Sequence, residues 1–224
     1  MTRGSIARDA TRRTQGGSLI RGVLSFALDE SGAAPQYLGL VATPPKHDAK
    51  TIEQAIERVA SAVARRHGRT PNLLLLGIAD GGIPVAQRLA DRLKKAGLQP
   101  GLGTIDISFH RDDIGRHPIP KEFAPTVIPH DVNGAAVILV DDVLYSGRTV
   151  KAALDELFDH GRPAGVELAV LVDRGGRKLP IAADYCGLTI EASDDEKVIV
   201  TLGARPAATD AVRVLPAAKP HVVL

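Results

Sequence analysis

The chain has 224 residues, 44% hydrophobic and 24% charged, with a net charge of +2, the profile of a soluble globular protein holding one real core plus extensions. Aromatic residues make up only 3% and Trp is absent, which excludes a single-strand nucleic-acid binder built on base stacking; the small net charge confines any affinity for polyanions to a local patch. The lone Cys186 excludes an internal disulfide and fits a reducing, cytoplasmic setting, and no apolar run approaches the roughly 20 residues of a membrane span.

Residues 1–46 read as an amino-terminal extension, partly disordered. Their opening is rich in Arg, Ser, Thr and Gly, as in a basic tail or an organellar transit peptide; Gly4, Gly16 and Gly17 break the helix a transit peptide needs and favour the tail. Short apolar runs between Ser18 and Thr43 are candidates for a strand pair, and Thr43-Pro44-Pro45 reads as a linker.

The first firm helix is expected from Thr51, where Thr-x-x-Gln forms a capping box and Ile52, Ile56, Val59 and Val63 follow at helical spacing. Gly68 ends it. Arg65, Arg66 and Arg69 at that end suit the helix dipole and are read either as a solvated terminus or as an RNA contact. Asn72–Ile78 is too apolar to alternate and reads as a central strand of a parallel sheet, followed by the turn Ala79-Asp80-Gly81-Gly82 and a helix over Ile83–Lys95. Gly103–Phe109 alternates as a strand and runs into His110-Arg111-Asp112-Asp113. From Ile114 to Gly134 four prolines dissolve the pattern, and a loop this long in a compact domain is read as a functional lid.

Val137–Val140 reads as a strand buried on both faces. Asp141 and Asp142 mark its end, and Val143-Leu144-Tyr145-Ser146-Gly147-Arg148-Thr149 turns into the next helix. Amides and hydroxyls around Ser146, Gly147 and Thr149 at a helix start suit a phosphate. The two carboxylates repel a phosphate and instead suit a ribose diol or Mg²⁺ beside it. A phosphorylated sugar satisfies both halves. After the helix over Val150–Phe158 come a strand at Val166–Val172, the turn Asp173-Arg174-Gly175-Gly176-Arg177-Lys178, short strands at Ile181–Tyr185 and Lys197–Leu202, and an Ala/Pro-rich carboxyl-terminal extension over 204–224. Alternating strands and helices predict an α/β core whose site lies at the carboxyl ends of parallel strands.

Residues 137–149 resemble the phosphoribosyl-pyrophosphate (PRPP) signature of type I phosphoribosyltransferases. Together with Ser-Phe-His-Arg-Asp-Asp at 108–113 and the stretch 168–185, they resemble the PyrR family, pyrimidine-operon attenuators that are also uracil phosphoribosyltransferases. The resemblance implies a parallel sheet flanked by helices, with a flexible lid loop and a small hood, in a domain over 47–203. It places Asp141 and Asp142 on the ribose and on Mg²⁺, the latter mostly through substrate and water, and wraps Val143, Leu144, Tyr145, Ser146, Gly147, Arg148 and Thr149 around the 5′-phosphate. Asp80 and Gly81 would meet the pyrophosphate, Arg111 would meet the pyrophosphate or close the lid in a catalytic role, and Asp173, Arg174, Arg177 and Lys178 would line the base pocket. It implies PRPP, uracil and UMP as ligands, pyrimidine-operon leader RNA as a partner, and a homo-oligomer. One departure stands out: the family usually carries Thr-Arg-Gly, or a polar variant before Thr-Gly-Gly, where this chain has Ala79-Asp80-Gly81-Gly82. Two other readings stay open: a nucleotide-sensing RNA-binding attenuator with weak catalysis, and a transferase for another base.

Overall fold

The computed structural model describes residues 45–108 and 125–217. The extension through residue 44 with its strand pair, Arg111 and its neighbours, and the first part of the expected lid, 114–124, lie outside them, whereas its second part, 125–134, packs on the sheet, with Val127 bridging Thr104 and Val132 buried.

Helix α1 spans Ala49–His67, strand β1 Leu73–Ile78, helix α2 Gly82–Lys95 and strand β2 Gly101–Ile105. Strand β3 spans Ala136–Leu144, α3 Arg148–Asp159, β4 Gly165–Asp173 and β5 Tyr185–Thr189; β6 (Glu196–Thr201) and β7 (Ala211–Pro216) close the chain. The first five strands form a parallel sheet in the order β2-β1-β3-β4-β5, as expected for runs too apolar to alternate. Side chains alternate across it and feed two cores. Leu73, Leu75, Ile138, Val140, Ala169 and Leu171 face α1 and α2, whereas Leu74, Leu76, Val137, Leu139, Leu168 and Val170 face α3. Among the described residues no helix is long and apolar enough to cross a membrane.

Several boundaries differ from expectation. Helix α1 is capped by Asp48, whose Oδ1 accepts from the Thr51 amide at 2.9 Å and the Thr51 hydroxyl at 2.7 Å, so Thr51 lies inside the first turn. The strand expected at 181–185 begins only at Tyr185, where Ala169 and Val170 offer parallel partners. Pairing with β4 carries β3 past Asp141 to Leu144. Part of the expected carboxyl-terminal extension is instead β7, which pairs antiparallel with β6 through Ala211–Pro216, and its Val212 bridges His47. This two-stranded hood is fastened by buried Arg88, whose Nε donates to the Gly203 carbonyl at 2.8 Å and whose Nη2 donates to the Arg205 carbonyl at 2.6 Å. Asp210 and Glu53 neutralise that guanidinium at 2.8 and 2.7 Å.

Candidate active site

Because the strands are parallel, the turns after β1, β3 and β4 all open on one edge of the sheet, and small residues let them approach. A Cβ on Gly82 would overlap the Val140 carbonyl oxygen, and one on Gly77 would sit 2.8 Å from the Ile83 Cα; Gly82 brings the start of α2 against β3, and Gly77 brings it against β1. A Cβ on Gly81 would collide with the Asp142 carboxylate. The turn at 79–82 and the acidic pair are thus in direct contact. Asp80 is exposed there, next to a cis Ala79–Asp80 peptide.

Asp141 is buried and Asp142 half-buried, and the Asp142 amide donates to Asp141 Oδ1 at 2.9 Å. Burial, then the neighbouring Asp142 charge, pushes the Asp141 carboxyl well above the ordinary range; burial likewise raises Asp142. No ion pair offsets either carboxylate among the described residues. Two unneutralised carboxylates are costly to bury, and a divalent cation or a diol would relieve that cost. Among the described residues no group of three or more His, Cys, Asp or Glu could hold a metal ion, so an Mg²⁺ held by this pair would take its remaining ligands from substrate and water.

The chain leaves β3 through Tyr145 and Ser146 into Gly147, whose φ of 90° lies in the left-handed region and which caps α3. The first amides of α3 have no intrahelical acceptor, and that of Arg148 donates to the Ser146 hydroxyl oxygen at 3.3 Å. Leu144 differs from its expected place: its side chain is 2% exposed and lies in the core facing α3, so only its backbone belongs to the loop. Val143 and Tyr145 line a cleft of about 410 Å³ with Asp142 and Arg174, closed on the far side by Lys197, Val198, Ile199 and Val200 of β6.

The turn after β4 is braced rather than open. Arg177 donates from Nη1 to the Tyr145 carbonyl at 2.8 Å, from Nε to the Ile181 carbonyl at 3.0 Å, and pairs with Asp173 at 2.5 Å. Arg174 is 6% exposed, with its guanidinium carbon 4.1 Å from the Tyr145 ring centroid. Lys178 is exposed, and its amide donates to the Ser146 carbonyl at 3.0 Å. The sequence reading missed the hood residues Lys197, Ile199 and Val200. The alternation at 197–202 marks a strand, but nothing local says which cleft it covers.

A family model for the phosphoribosyl transferase domain matches residues 47–204. "Bifunctional protein PyrR" of Roseiflexus sp. (strain RS-1) is 46% identical over 157 residues, covering 69% of this chain and 85% of the relative. The protein of the same name from Listeria monocytogenes serovar 1/2a is 48% identical over 170 residues, covering 74% and 92%. The chain belongs to the PyrR family of phosphoribosyltransferases. Among solved structures, the hypoxanthine phosphoribosyltransferase of Trypanosoma cruzi superposes with a TM-score of 0.59 at 22% identity, covering 78% of this chain and 97% of that one, which shows the shared fold. The match to the phosphoribosyl transferase domain model stops at residue 204, whereas the hood runs on through β7.

Proposed function

We propose that the protein transfers the phosphoribosyl group of PRPP to uracil, giving UMP and pyrophosphate. The observation that carries this reading is the unneutralised pair of buried Asp141 and half-buried Asp142, packed against Gly81 and followed in the chain by the Gly147-capped start of α3. In the reaction the bond from C1′ to the pyrophosphate oxygen breaks, with both electrons leaving on that oxygen, the bond from C1′ to uracil N1 forms, and the N1 proton passes to the departing pyrophosphate or to water. Positive charge develops on the ribose as the leaving group departs, and the two carboxylates stabilise it. Asp141 and Asp142 would also orient the ribose hydroxyls and hold Mg²⁺, which when bound neutralises the leaving pyrophosphate. Residues 145–149 receive the 5′-phosphate, Gly81 offers its amide to the pyrophosphate, and Arg111 closes the lid. Uracil enters the cleft between Val143 and the hood strand β6.

The second activity is regulatory: uridine nucleotide in this site governs binding of pyrimidine-operon leader RNA. Exposed Asp80, at the turn that would face pyrophosphate, favours one variant of this reading, in which catalysis is weak and nucleotide sensing dominates. Turnover with PRPP, Mg²⁺ and a panel of bases tests the enzyme. Uracil should exceed adenine, guanine and hypoxanthine, because a hydrogen-bonding pocket rejects mismatched edges. Faster turnover of a purine would replace the reading.

A further inference from the structure

We propose that Arg174 and Tyr145 are positioning residues that fasten the hood to the phosphate loop, and that Arg174 is not a ligand of the base. Arg174 leaves the end of β4, where a base contact would be expected, yet both terminal nitrogens of its guanidinium turn to the hood connection. Nη1 donates to the Glu196 carbonyl at 2.8 Å, and Nη2 donates to the Ser193 carbonyl at 2.7 Å and reaches Ala192 at 3.5 Å. Its Nε is buried without an acceptor among the described residues. The planar fork therefore organises the carbonyls of residues 192, 193 and 196 at the entry to β6.

The same guanidinium lies over the face of Tyr145, the first residue after β3. A Cβ on Gly176 would strike the Tyr145 ring, so Gly176, at φ 74°, packs closely against it. The tyrosine hydroxyl then donates to Asp194 Oδ1 at 3.1 Å, inside the same hood connection that Arg174 holds. Two side chains from two strand ends thus converge on residues 192–196. Their consequence is mechanical. The phosphate loop and the wall of the base cleft, Lys197 to Val200, are joined through Tyr145, so order imposed on the loop by a bound phosphate reaches the hood and deepens the base site.

This inference rests on the uracil reading only for the base used in the kinetic test. Two conservative variants separate the parts: Tyr145→Phe removes only the hydroxyl that reaches Asp194, and Arg174→Lys keeps the charge but loses the fork. In Tyr145→Phe the KM for uracil should rise about fivefold, severalfold more than the KM for PRPP, because one hydrogen bond that orders the hood is lost. Amide hydrogen exchange supplies a readout that needs no base. Ribose 5-phosphate should slow exchange across residues 192–198 in the wild type and fail to do so in Tyr145→Phe, and Arg174→Lys should exchange faster there without ligand. If Arg174→Lys weakens uracil binding while exchange at 192–198 stays at the wild-type rate, Arg174 touches the base directly and the proposal is overturned. It is equally overturned if ribose 5-phosphate protects the hood in Tyr145→Phe as it does in the wild type. A wild type that ignores uracil would sink the uracil reading alone, since the exchange result decides the brace without it.

Discussion

Asp141 and Asp142 pack carboxylates where the fold would be happier without charge. Both carboxyls titrate above the ordinary 3.8, first because of burial, so the folded protein holds these protons to higher pH than the unfolded chain does. The sign follows: their destabilisation is absent below the unfolded value and grows as pH rises through the raised folded values. Asp141→Asn with Asp142→Asn should therefore lower kcat by at least about a hundredfold while raising stability at neutral pH, and a gain on the order of 1 kcal/mol raises Tm by about 2 to 4 °C. Thermal melts from pH 4 to 8 should show the two proteins diverging as pH increases; parallel curves would remove the electrostatic account. Asp80 poses the opposite question, a carboxylate at the turn where pyrophosphate is expected. Ala79→Arg with Asp80→Thr should lower the KM for PRPP roughly tenfold, the return of about 1.4 kcal/mol, and raised Mg²⁺ should partly reproduce that gain in the unmodified protein. A PRPP constant that does not move across a magnesium series would mean Asp80 faces elsewhere.

Among the elements, the hood depends on one arginine of α2. Arg88 is 1% exposed and its carbonyl partners lie 115 and 117 residues further on, while Asp210 is itself buried. Arg88→Met would leave that carboxylate without its cation and should cost about 3 to 5 kcal/mol in denaturant unfolding; adding Asp210→Asn should recover part of the loss. A cost under about 1 kcal/mol would make the clamp ornamental. This clamp also shows where the sequence stops being readable. The apolar runs at 73–78, 137–140 and 166–172 declare buried parallel strands by themselves, and the acidic pair before Ser146-Gly147 declares a phosphorylated sugar, because each signal is local. Arg88 reads only as a polar residue beside the apolar stripe of Val85, Leu89 and Leu93, since its partners are brought in by tertiary folding. Likewise β7, embedded in Ala- and Pro-rich sequence, gains its identity from pairing with β6. The partners of Arg174 are hidden for the same reason: a basic turn at a strand end gives no local sign of the carbonyls of residues 193 and 196 that its guanidinium meets.

At the scale of the whole molecule, the two proposed activities fall on opposite edges of one sheet. The turns proposed to receive PRPP follow the carboxyl ends of β1, β3 and β4, whereas the end of α1 precedes the amino end of β1, and there Arg66 pairs with Glu167 of early β4 at 2.7 Å. Arg65 and Arg69 are exposed at that same edge. With a net charge of only +2 the protein has no global field to draw RNA, so affinity must come from such a cluster. Arg65→Ala with Arg69→Ala should weaken leader-RNA binding and reduce the slope of log K against log salt by about 1.4 if both contact phosphates of a single-stranded loop. PRPP turnover should be untouched, because neither residue lies at the nucleotide edge. UMP should still tighten RNA binding in the unmodified protein, the effect of a ligand at one edge on a partner at the other. Filter binding across a salt series, with and without UMP, checks each part. An unchanged salt slope in the double variant would move the RNA face away from α1, and equal affinity for leader and random RNA would leave the protein a transferase alone.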